Sequence, residues 1–178
     1  MMAERQLTPI QRFFGGLAEY AFESRLGIAD PPLVEYMADL LTRFIHCDTI
    51  FAIRSLTGRR VDEVVDMLAE AQCRVGTARR DIHRQIGDFT LFWTGVYPEA
   101  LLRLRGTDRK DYLVDYCAQG KRAYRIASTI PTSDDDAENE VLERLSHEFD
   151  ICVRGLGEMR REWERRDPGE AARLLWLN

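Results

Sequence analysis

The chain has 178 residues, 45% apolar and 31% charged, which is the make-up of one folded domain and excludes a disordered, collagenous or disulfide-scaffold protein. Its net charge of -5 opposes the clustered excess of cations that phosphate binding needs, so nucleic acid is not an expected partner. Leu, Ala, Arg and Glu outnumber the β-branched residues, a stock that favours an all-α fold.

Thr8-Pro9-Ile10-Gln11 has the form of a helix start, with a capping hydroxyl, a proline at the first position and a glutamine able to reach back. The first helix is expected to end near Leu26, before Gly27, with Gly15 and Gly16 admitting a close helix crossing. Asp30-Pro31-Pro32 opens a second helix, in which Leu33, Met37, Leu40, Leu41, Phe44 and Ile45 recur at helical spacing. A third is expected over residues 60–71, after the Thr57-Gly58 turn. A fourth, over residues 77–95, exposes Arg79, Arg80 and Arg84 in its first half and is apolar all round from Phe89, so it should be central. Asp108 is expected to cap a fifth, reaching Ser128.

Residues 129–136 form an acidic loop before the longest helix, residues 134–166, and a short apolar end segment follows. The expectation is a single domain, 1–178, built as a bundle of six or seven helices with one long C-terminal helix. In that helix Leu142, Leu145, Phe149, Cys152, Leu156, Met159 and Trp163 are spaced 3, 4, 3, 4, 3, 4, a heptad seam. At 1.5 Å per residue it is about 50 Å long, against a body about 40 Å across, so it must bend, most cheaply at Gly155 and Gly157, or overhang.

An overhang makes Leu156, Met159 and Trp163, with Leu174, Leu175 and Trp176 at the apolar end, a candidate interface with a second copy or a partner protein. The leading functional expectation is therefore a non-enzymatic, self-associating interaction or scaffold protein. The alternative is a small-ligand-binding regulator. Tyr112, Tyr116, Gly120 and Tyr124 form an aromatic stripe with a notch beside Lys121, and residues 103–125 carry seven basic side chains and three acids. Asp88, at the entry to the apolar half of the fourth helix, requires a cation such as Arg84 or joins that pocket with His83.

Glu143, His147 and Asp150 share a helical face, with Asp39 and His46 as the evident donors from another helix, but solvated polar faces account for them. No catalytic residue, metal or cofactor is expected. Four widely spaced cysteines suggest buried, reduced thiols in a cytoplasmic protein, and no segment has the length of a membrane span. Residues 86–99, IGDFTLFWTGVYPE, with GKRAYRIAS at 120–128, resemble a bacterial all-helical family that has no assigned activity. The resemblance runs over most of the chain from Leu7, and it implies a bacterial cytosolic setting and a stand-alone domain.

Overall fold

The first two helices begin where short-range capping chemistry directs them. In the computed structural model, which describes residues 7–45, 47–132 and 136–167, α1 (Pro9–Glu19) opens on a capping box. Thr8 Oγ1 accepts from the Gln11 amide at 3.3 Å, and Gln11 Oε1 accepts from the Thr8 amide at 2.8 Å. The chain continues as a π-helical stretch, Tyr20–Arg25, and leaves the helix through Gly27 at φ 69°. Asp30 caps α2 (Pro31–Phe44) by accepting from the Leu33 amide.

After α3 (Cys47–Ile50), an isolated antiparallel bridge joins Arg54 to Arg60, and Val61 N–H donates to Ile53 C=O. That pairing holds residues 60 and 61 extended, so the third long helix, α4 (Val64–Gln72), starts later than its apolar pattern suggests. Then come α5 (Gly76–Gly95), a 3₁₀ turn at Pro98–Ala100, α6 (Leu101–Leu104) and a second 3₁₀ turn at Lys110–Leu113. Asp115, not Asp108, caps α7 (Tyr116–Thr129), leaving Tyr112 outside the helix. The last described elements are α8 (Asp136–His147) and α9 (Phe149–Arg166).

The fold is all-α, with seven helices of nine residues or more among the described residues. α5 lies at its centre, packed against α7, α9, α4 and α2, and Ile86, Phe89, Leu91 and Phe92 are buried. Arg80, expected to be exposed, is buried as well, because α8 supplies Glu138 Oε2 at 2.9 Å and Asn139 Oδ1 at 3.0 Å.

The long C-terminal helix is two helices, interrupted at Glu148 (φ -104°, ψ 21°) rather than bent at its glycines. Gly155 instead admits a neighbour: a Cβ there would lie 2.1 Å from Cζ of Phe22, on the π-helical stretch. Gly15 and Gly16 have no neighbour within 4 Å of such a Cβ, so the expected crossing at that pair does not occur.

The heptad seam is filled from within the chain. Leu156 and Met159 are fully buried, and Trp163, 6% exposed, meets Phe13 and Phe14 edge-on. Leu156, Met159 and Trp163 therefore offer no free face to a second molecule; α9 packs against α5, α1 and the π-helical stretch, with Leu156 against Gly95 and Trp163 against α1. Leu174, Leu175 and Trp176 lie outside the described residues. Of the cysteines expected to be buried, Cys152 is, Cys117 is half-buried and Cys73 is exposed; all three are free. Among the described residues, no helix is long and apolar enough to cross a membrane.

Candidate functional site

Asp88 lies on α5, whose flanking residues are apolar, and its carboxylate is completely buried. It is satisfied by two phenols and one guanidinium. Oδ1 accepts from Tyr36 Oη and Tyr124 Oη, each at 2.7 Å, and Oδ2 accepts from Arg43 Nη1 at 2.9 Å. Tyr36 and Arg43 are seven residues apart on α2 and so share a face, while Tyr124 comes from α7. Burial, then the nearby Asp88 charge, raises both phenols well above the ordinary tyrosine range, which keeps them protonated donors.

Arg84, the expected partner of Asp88, is one link further out. Its Nε donates to Tyr36 Oη at 3.2 Å, and its Nη1 pairs with Glu138. The result is a polar ladder: Tyr124, Arg43, Asp88, Tyr36, Arg84, Glu138 and Arg80 link α2, α5, α7 and α8. His83 is not part of it. Burial, with Arg79 and Arg122 nearby, lowers the imidazole to about 4, and its buried Nδ1 has no hydrogen-bond partner.

The aromatic stripe does not enclose a pocket. A Cβ on Gly120 would lie 2.5 Å from ring carbons of Phe149 and from Thr90 Oγ1, so the notch is occupied by α9 and α5. Tyr124 packs on Gly87 and bonds Asp88, whereas Tyr116 turns to a different carboxylate, Asp111. Lys121 pairs at the surface with Asp150, and Tyr112 is exposed. Of the six residues expected to bind a ligand, only Asp88 and Tyr124 bond to each other, and the space between them holds protein atoms. Aromatic spacing on one helix cannot reveal what a second helix inserts between the rings.

Asp111 is a second buried carboxylate, for which the sequence offers no local signal. Its Oδ2 accepts from Val64 N–H at 2.8 Å and Tyr116 Oη at 2.7 Å, and its Oδ1 accepts from Val65 N–H at 3.0 Å. It thereby supplies from a distance the cap that Glu63, the residue before α4, does not provide. Burial, then the Asp111 hydrogen bond, raises the Tyr116 phenol. Glu63 accepts from Lys110 N–H at 2.6 Å, and Lys110 Nζ meets Asp66 at 2.7 Å.

These bonds brace the connector between α5 and α7, which carries exposed apolar side chains. Leu113 is 85% exposed, Tyr112 48% and, on the adjoining turn of α4, Val65 37%. Leu102, further back on the connector, is exposed too. No group of three or more His, Cys, Asp or Glu side chains able to hold a metal occurs among the described residues. No family model, no curated protein and no solved structure matches the chain.

Proposed function

We propose that the protein is a non-enzymatic helical interaction protein that self-associates, and that its interface is the face formed by Val65, Tyr112 and Leu113 rather than the seam of α9. The observation that carries this reading is the exposure of Leu113 and Tyr112 on a turn fixed by Asp111. Large apolar groups held rigidly in water lose little conformational entropy when a partner covers them.

A second copy of the chain is the partner that suits the charges. A two-fold interface brings the same patch to itself and so needs both signs on it. This face has Arg109 and Lys110 beside Asp62 and Asp66. A bacterial cytoplasmic setting belongs to the same reading; the free, exposed Cys73 is in keeping with a reducing compartment.

Light scattering over a hundredfold concentration range tests the proposal. The wild type is expected to move from 20.6 kDa toward twice that mass, and a Tyr112→Ser, Leu113→Glu double variant to stay at 20.6 kDa with an unchanged helical circular dichroism spectrum. A wild type that remains monomeric throughout overturns it.

A further inference from the structure

A groove of about 770 Å³ opens where the loop after α3, the end of α5 and the connector meet. Phe51, Trp93 and Leu104 give it an apolar lining, and Arg60, Arg103 and Arg109 also line it, with Asp108 as the one carboxylate. Its size suits a small molecule. In a chain with 30 acidic and 25 basic side chains, three guanidiniums around one cavity need a reason.

Among the described residues, none of the three holds a carboxylate within hydrogen-bond range. Arg60 and Arg103 have no ion pair among the described residues, and Arg109 approaches Asp62 and Glu63 only at 3.7 and 3.9 Å, beyond hydrogen-bond range. Arg43 and Arg144, by contrast, each hold a carboxylate closely, Asp88 at 2.9 Å and Asp30 at 2.6 Å. The Arg60 guanidinium lies 3.9 Å from the Phe51 ring centroid, forming a flat stacked surface. Trp93 adds an indole to the wall of the groove, next to the Phe89 and Phe92 rings.

From these observations we infer that the groove is a binding site for a small anion bearing a flat apolar ring, such as an aromatic carboxylate. The ring lies against Phe51, Trp93 and Leu104, and the anionic group meets Arg60 and Arg103. This site goes beyond the self-association proposed above and does not depend on it, since a monomer contains every residue involved.

Isothermal titration of the full chain with 2-naphthoate, with neutral 2-naphthamide and with inorganic phosphate separates ring from charge. Light scattering on the same samples records the association state, so a failed dimer and a failed site are read independently. The expected result is saturable one-to-one binding of 2-naphthoate, with the amide and phosphate each at least about tenfold weaker. An Arg60→Gln, Arg103→Gln double variant, folded by circular dichroism, is expected to bind 2-naphthoate at least about tenfold more weakly. Trp93→Leu, folded by circular dichroism, removes the aromatic wall and is expected to weaken binding several-fold. Equal affinity for acid and amide, affinity unchanged in the double variant, or no saturation at millimolar 2-naphthoate overturns the inference. So does tighter binding of phosphate, or of an acidic aromatic tripeptide, than of 2-naphthoate.

Discussion

Asp88 shows how a single charge can be kept inside an apolar helix. Its two oxygens receive three donors from two neighbouring helices: Tyr36 and Arg43 from α2, Tyr124 from α7. Asp88→Asn keeps the shape but removes the charge and leaves Arg43 without its counter-ion. A loss of about 2–4 kcal/mol is expected in urea unfolding. His83 sets a pH limit in the opposite chemical sense. Its folded-state value of about 4 lies below the ordinary 6.5, so above pH 6.5 both states are neutral and nothing is lost. As pH falls from 6.5 toward 4, the unfolded chain takes up a proton that the folded chain refuses, and stability drops by on the order of 2–3 kcal/mol. Urea midpoints at pH 7.5, 5.5 and 4.5 measure this, and His83→Gln should show a shallower decline over the same interval.

At the scale of elements, close contacts rather than propensity decide where the helices lie. Gly155→Ala improves helix propensity by about 1 kcal/mol, yet drives a methyl group into the Phe22 ring, so a net destabilisation of about 1–3 kcal/mol is expected by thermal unfolding. Gly16→Ala, in open space on α1, should instead stabilise by up to about 1 kcal/mol. The contrast also explains what was legible in the sequence. The caps at Thr8 and Asp30 could be read because donor and acceptor are three residues apart, and the all-round apolar run of α5 revealed its central place because no surface helix tolerates one. The partner of Asp88 could not be read, because Arg43 is 45 residues away on another helix. Asp108 and Asp115 are equally good caps on paper, and only packing places the start of α7 at the second, with Tyr116 bonded to Asp111. The seam of α8 and α9 was visible as a repeat, but a repeat does not say whose side chains fill it.

For the whole molecule, the break at Glu148 replaces an overhang with a body that covers the apolar face of its own C-terminal helices as far as Trp163. Among the described residues, the connector between α5 and α7 carries three of the seven large apolar side chains left exposed, Leu102, Tyr112 and Leu113. It is built from short turns, and its order rests on side chains reaching back to α4. Asp111→Ala removes three hydrogen bonds at once and is expected to cost about 2–4 kcal/mol by urea unfolding, with a concurrent loss of self-association in light scattering. An interface on flexible loops would tolerate that change, whereas one on a pre-shaped turn would not.

The debt of α4 to Asp111 also bears on how the native state breathes. First-turn amides ordinarily exchange freely with deuterium, yet those of Val64 and Val65 are tied to a carboxylate more than forty residues downstream. They can exchange only when that distant anchor lets go, so the front of one helix and the strap that follows another should open together, as a single cooperative unit with one protection factor.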